Sequence, residues 1–244
     1  MTHPPAAETD ALARLRATGV LAVVRAPHAE SALDVADALL AGGVSGIEVT
    51  YSTPDAAAVI AELVRRHGEA AYIGAGTVTT ATQAEEAAGA GAQFLVSPGT
   101  LAPLTAAMRA TGVTVMTGAL TPSEVMLAIS LGVDVVKVFP ASLGGPSYLG
   151  ALRGPFPHTP LMPTGGVNPD NLLAWFTAGA IAVGAGGDLL PAAALASGDM
   201  AEITRRARQF SAALAAARVA TGTAAAAAAA RCDVAARGDE PDVA

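Results

Sequence analysis

Eight short apolar segments, each followed by an alanine- and leucine-rich stretch of helical period, alternate without a break from residue 20 to about residue 217. The apolar runs fall at Val20–Val24, Gly46–Thr50, Tyr72–Ala75, Phe94–Ser97, Val113–Thr117, Val135–Phe139, Leu161–Pro163 and Ile181–Gly184. Runs of this kind read as buried strands, and parallel sheets are where strands are covered on both faces. Between them lie helix-period segments such as Glu30–Leu40, Pro54–Arg66, Thr80–Ala88, Leu101–Ala110 and Pro122–Leu131. Start signals precede several of them: Thr53-Pro54, Thr121-Pro122-Ser123-Glu124 and Asn168-Pro169-Asp170. Gly42, Gly68, Gly89, Gly112, Gly132 and Gly179 fall where helices should close. Eight β-then-α units predict an α/β fold of the closed kind, an eight-stranded parallel (β/α)8 or TIM barrel, and 244 residues is the length such a barrel takes. A doubly wound open sheet is the alternative, and it needs fewer strands or a switch point that the sequence does not display.

Residues 1–218 are read as one barrel domain, with Asp10–Thr18 as a short leading helix and the Pro-containing first residues loose. Residues 219–244 are set apart as an alanine-rich, low-complexity tail, expected to be disordered, because a run of alanines offers no large apolar face to dock. Hydrophobic residues make up 52% of the chain, enough for a sizeable core. The net charge of -7 speaks against nucleic acid as a partner, which needs a basic face. No stretch is apolar for the length of a membrane span, so no membrane partner is expected. The N-terminus lacks a basic region followed by an apolar core, and the single Cys232 can form no internal disulfide. The expected setting is reducing and cytoplasmic.

One residue then stands apart: of the 14 lysines and arginines, 13 are arginine, and the exception is Lys137. It lies inside the apolar run Asp134-Val135-Val136-Lys137-Val138-Phe139-Pro140. Arginine stays protonated in proteins, whereas a buried lysine can lose its proton and act as a nucleophile. Two readings follow: a stem that packs while its ammonium reaches water, or an amine kept for chemistry. The absence of any other lysine favours the second. Glu48 occupies a similar place in Gly46-Ile47-Glu48-Val49-Thr50, where an unpaired carboxylate costs several kcal/mol to bury. It is read either as a structural ion-pair partner of Lys137 or as a proton carrier beside an amine nucleophile. The second role sets apolar walls, with Val135, Phe139 and Val49 as candidates, against a carboxylate that favours the charged amine.

In this fold the chemistry sits at the C-terminal ends of the strands. Arg25, Glu48, Thr77, Ser97-Pro98 and Lys137 all fall there, followed by Thr164-Gly165-Gly166 after the seventh strand and Gly184-Ala185-Gly186-Gly187 after the eighth. Glycine turns at the last two strands are where barrel folds frequently seat phosphate, with a helix starting near Asn168 adding its dipole, although any barrel needs tight turns. Arg25 either caps the mouth through a salt bridge or holds a carboxylate or phosphate. His3, His28, His67 and His158 show no metal-ligand spacing, and no dinucleotide fingerprint follows a strand, so neither metal nor cofactor is expected.

At these residues the chain resembles the 2-keto-3-deoxy-6-phosphogluconate (KDPG) aldolase family, which includes 4-hydroxy-2-oxoglutarate aldolases. The resemblance is carried by Ile47-Glu48-Val49-Thr50, Gly74-Ala75-Gly76-Thr77-Val78 and Phe94-Leu95-Val96-Ser97-Pro98-Gly99. It continues in Lys137-Val138-Phe139-Pro140-Ala141 and Pro163-Thr164-Gly165-Gly166-Val167, covering roughly residues 12 to 215. It implies a metal-free class I aldolase on a (β/α)8 barrel, usually a homotrimer, acting on a phosphorylated 2-keto acid. Lys137 would form the Schiff base and Glu48 would move protons. Thr77 would hold the pyruvyl carboxylate, while Pro98 and Phe139 would pack on the carbon chain. Thr164 would contact the hydroxylated part of the substrate, with Gly165, Gly166, Gly186 and Gly187 holding the phosphate. The chain departs from the pattern in two places. Ser52 stands where many members have an arginine for the carboxylate, and Arg25 is the replacement that another branch uses. Gly187 stands where many have a serine. Thr164, apolar in the galactonate-specific branch, favours the gluconate epimer. Three readings rival KDPG cleavage: cleavage of 4-hydroxy-2-oxoglutarate to pyruvate and glyoxylate, a phosphate-binding barrel that isomerises or transfers without an imine, and a catalytically dead sugar-acid-binding protein, against which the intact Glu48 and Lys137 speak.

Overall fold

A computed structural model describes residues 10–237, with side-chain surroundings through residue 222. The chain begins with α1 (Asp10–Thr18) and then repeats strand and helix: β1 (Val20–Val24), α2 (Ala29–Ala41), β2 (Gly46–Thr50), α3 (Ala56–His67), β3 (Tyr72–Gly76) and α4 (Ala81–Gly89). It continues with β4 (Phe94–Val96), α5 (Ala102–Ala110), β5 (Thr114–Ala119), α6 (Pro122–Ser130), β6 (Val135–Val138) and α7 (Gly145–Arg153). The last units are β7 (Leu161–Pro163), α8 (Leu172–Thr177), β8 (Val183–Ala185), α9 (Ala192–Ser197) and α10 (Met200–Arg237). All neighbouring strands pair in parallel, in the order β7-β6-β5-β4-β3-β2-β1-β8. The seam between β7 and β8 closes through a Thr164–Gly184 bridge and an Ile181 N–H that donates to the Leu161 carbonyl at 3.0 Å. The predicted eight-stranded barrel is therefore present, and closed.

Strand residues alternate between two buried layers, as a barrel requires. One set, including Ala22, Val24, Ile47, Val49, Ile73, Ala75, Leu95 and Val115, packs outward against the helices. The other set, Leu21, Tyr72, Phe94, Val96, Met116, Val135 and Met162, fills the barrel interior together with Leu15 of α1. α1 lies across the N-terminal end, where the Tyr72 hydroxyl donates to Thr114 Oγ1 at 3.3 Å and Arg14 stacks 5.0 Å from the Tyr72 ring centroid. That end is plugged, and the opposite end is left for function.

Local signals mostly place the elements. Thr121 caps α6 in a reciprocal pair with Glu124, and Asn168 caps the turn at Pro169–Asn171 in the same way. Gly68, Gly112, Gly132 and Gly179 adopt φ of 50°, 79°, 70° and 96°, which their helix ends require. At two helices the positive φ falls one or two residues later, on Gly43 (87°) and Gly91 (93°). Thr53 is a different matter. It does not cap α3, which starts at Ala56 behind Asp55; its hydroxyl instead accepts from the Ala26 N–H at 3.1 Å and ties the β1 and β2 loops together.

α10 packs its first half on α2 and α8, burying Ile203, Ala207, Phe210, Leu214 and Ala217. The helix does not stop at residue 218: the stretch set apart as a tail from residue 219 continues it to Arg237, in line with the helix propensity of alanine. Residues 1–9 and 238–244 lie outside the described residues. Among the described residues no helix is long and apolar enough to cross a membrane.

Candidate active site

Glu48 lies on β2 and Lys137 on β6, four strands apart in a ring of eight. At a strand spacing of about 4.8 Å, an open sheet would hold them about 19 Å apart. Closure of the barrel brings Lys137 Nζ to 3.8 Å from Glu48 Oε1. Both side chains are buried, Glu48 fully and Lys137 to within 5% of its surface. The separation exceeds hydrogen-bond length, and neither oxygen of Glu48 accepts a hydrogen bond. A buried carboxylate without a protein donor is rare, and at the C-terminal end of a barrel strand it is a candidate for chemistry.

Space for this pair comes from glycines within strands. A Cβ on Gly76 would sit 1.8 Å from Glu48 Oε1, so the carboxylate fills the place of that missing side chain. A Cβ on Gly118 would meet the Pro98 carbonyl oxygen at 1.9 Å. Gly118 also pairs in register with Lys137, so its bare backbone lets the Pro98 turn fold in beside the amine. Gly184 does the same for Thr164, whose Oγ1 would lie 2.3 Å from an added Cβ. These strand glycines shape the space around the candidate residues; from the sequence, Gly184 reads only as part of a turn, and Gly76 and Gly118 carry no role, although glycine inside a strand marks a close approach.

The expected mouth residues converge, with one exception among the apolar walls. The Phe139 ring centroid lies 5.2 Å from Lys137 Nζ, and Val135 lies in the barrel interior below it. Val49 does not face the amine. It points outward into the helix layer, because it alternates with Glu48 along β2. Arg25 reaches across the mouth, where Nη1 donates to Ser52 Oγ at 3.3 Å and Nη2 to Thr77 Oγ1 at 3.4 Å. Thr77 itself is held at φ 50°, a conformation uncommon outside glycine. Thr164 is buried, and its hydroxyl has no hydrogen-bond partner.

The two glycine turns also reach the mouth. Gly165 and Gly166 take φ of 100° and 73°, and Asn171 Nδ2 donates to the Gly166 carbonyl at 2.7 Å. Added Cβ atoms on Gly186 and Gly187 would meet nothing within 4 Å, so their backbone is open to a ligand. The dipole expected from a helix at Asn168 is weaker than the sequence implied. The segment starts as a short turn, α8 follows with six residues, and Asn168 Oδ1 already accepts the Asn171 N–H. The exposed backbone of the glycine turns, not a helix end, is what an anion would meet.

A closed parallel barrel carrying a buried amine and carboxylate at the C-terminal ends of its strands defines an enzyme of the (β/α)8 barrel class. The "KDPG and KHG aldolase" family matches residues 12–206, and this chain belongs to that family. A relative from Treponema pallidum, 2-dehydro-3-deoxy-phosphogluconate aldolase, is 37% identical over 201 residues, 82% of this chain and 94% of the relative. The KHG/KDPG aldolase of Escherichia coli is 37% identical over 203 residues, 83% of this chain and 95% of that protein. Among solved structures, the KDPG aldolase of Legionella pneumophila superposes with a TM-score of 0.76 at 33% identity, covering 83% of this chain and 98% of that one. That crystal structure holds pyruvate captured at low pH as a covalent carbinolamine intermediate.

Proposed function

We infer that this chain is a class I aldolase that cleaves KDPG to pyruvate and D-glyceraldehyde 3-phosphate through an imine on Lys137. The observation that carries this reading is the buried amine 3.8 Å from a buried carboxylate that has no hydrogen-bond donor of its own. In its neutral form Lys137 adds to the C2 ketone to give a carbinolamine, and loss of water gives the protonated imine. Glu48, too far from Nζ for direct transfer, passes protons through the substrate's hydroxyl or a bridging water. It next takes the proton of the C4 hydroxyl, the C3–C4 bond breaks, and the electron pair moves into the imine as an enamine. Glyceraldehyde 3-phosphate departs. Protonation at C3 and hydrolysis then release pyruvate and the free lysine.

Thr77 and Arg25 receive the pyruvyl carboxylate, Phe139 and Pro98 flank the carbon chain, and Thr164 meets the hydroxylated segment. The turns at Gly165-Gly166 and Gly186-Gly187 seat the phosphate with backbone N–H groups. A second substrate, 4-hydroxy-2-oxoglutarate, is favoured by one observation: Gly187 offers no hydroxyl to a phosphate, which weakens discrimination against a substrate without one. The proposed assembly is a homotrimer in the cytoplasm; exposed Leu101, Met126, Ile129 and Leu143, on consecutive units of the barrel, support a contact between subunits.

Borohydride in the presence of pyruvate should attach one pyruvyl group to the protein, read by mass spectrometry, and Lys137→Met should abolish the adduct. Undiminished trapping in that variant would remove the imine from Lys137. Comparing kcat/KM for the two substrates ranks them.

A further inference from the structure

Arg25 is held in an unusual way. Among the described residues it makes no ion pair, and its two contacts are to hydroxyl oxygens, Ser52 Oγ and Thr77 Oγ1. The polarity of the contacts behind Ser52 follows from counting protons. The Thr50 hydroxyl donates to the Val24 carbonyl at 2.9 Å, which uses its one hydrogen. The 2.7 Å contact between Thr50 and Ser52 is therefore a Ser52 hydroxyl donating to Thr50. That leaves the Ser52 oxygen as acceptor on the side facing Arg25 Nη1. The result is a one-way relay from the guanidinium through Ser52 and Thr50 to the backbone of β1, anchored at a fully buried threonine.

A neutral seat matters here. A carboxylate at position 52 would neutralise the guanidinium, whereas a hydroxyl orients it and leaves the full positive charge and the other N–H donors free for an anion. We propose that Ser52 is a positioning residue, aiming Arg25 at the carboxylate of the incoming 2-oxo acid. This rests on the Schiff-base reading above and adds to it a device that selects ketones bearing an adjacent carboxylate.

The test is borohydride trapping across a pyruvate titration. Ser52→Ala should raise the half-saturating pyruvate concentration about five- to tenfold, the net worth of one ordinary hydrogen bond, while the trapping rate at saturation stays within about twofold. Ser52→Thr, which keeps the hydroxyl, should restore the wild-type value. In an Arg25→Ala background, Ser52→Ala should have no further effect, because it acts through the arginine. An unchanged half-saturation in Ser52→Ala, or a full additional loss in the Arg25→Ala background, overturns the proposal. Absence of trapping in the wild-type protein would instead sink the aldolase reading, and this inference with it.

Discussion

Gly76 lacks a side chain because Glu48 occupies the space one would fill, and the placement of that carboxylate beside Lys137 depends on the absence. Gly76→Ala places a methyl group 1.8 Å from Oε1 and 2.3 Å from Cδ of Glu48, so the carboxylate must swing away from Lys137. Overpacking of this kind costs about 1–3 kcal/mol of stability. The larger effect is on turnover, since losing a positioned acid/base group slows a reaction about a hundredfold or more. Steady-state kcat should fall by that order in Gly76→Ala. Gly150→Ala in α7, where an added Cβ meets nothing within 4 Å, should keep full activity and gain up to about 1 kcal/mol in denaturant unfolding. Equal activity in the two variants would mean that Glu48 does not work from its present position. Lys137 and Glu48 could be picked out from the chain alone because charged residues in apolar strands are costly and hence informative. Gly76 and Gly118 could not be assigned their partners in that way. Which side chain fills a glycine's space depends on strand register across the barrel, and no local pattern encodes it.

Helices α3 and α10 carry the same short arrangement, a glutamate followed three and four residues later by arginines. Glu62 takes Arg65 and Arg66, and Glu202 takes Arg205 and Arg206, with contacts of 2.6 to 2.8 Å. Hydrogen bonds from both arginines pull each carboxyl down from its ordinary 4.5 to about 2. Because the folded value is the lower one, the stabilisation is complete above about pH 4.5 and fades as pH falls through about 2. These pairs lie at the surface, so the effect is small and salt-sensitive. A Glu62→Gln, Glu202→Gln double variant should melt below the wild type at pH 6, and the gap in Tm should close toward pH 2 and narrow in 1 M salt. A gap independent of pH would show that shape, not charge, is what the substitutions removed. The helices themselves were legible from their period and from caps such as Thr121 with Glu124. Thr53 misled because a hydroxyl before proline looks like a cap, whereas here it serves a neighbouring strand loop, a tertiary use with no local trace.

At the scale of the whole molecule, eight repeated units gave the barrel, but its seam rests on three-residue strands that alone would carry little signal. Closure nonetheless decides the chemistry, because only a ring sets β2 opposite β6. Of the eight large apolar side chains exposed among the described residues, five fall on successive units: Leu101 before α5, Met126, Leu127 and Ile129 on α6, and Leu143 beyond β6, with Met126 and Leu143 exposed by 61% and 72%. Scattered exposed apolar residues need no explanation, but several on successive units of one flank do. A closed ring of three copies needs two different patches on each chain, and in the proposed homotrimer this flank would be one of them. Light scattering on the wild-type protein should therefore give about three times the chain mass of 24.0 kDa. Met126→Lys with Ile129→Lys puts two charges where a neighbour would sit, and should shift the mass to that of one chain while leaving the helical circular dichroism intact. A wild-type mass of a single chain at micromolar concentration would refute the trimer. A double variant that stays assembled would move the interface to another face of the barrel.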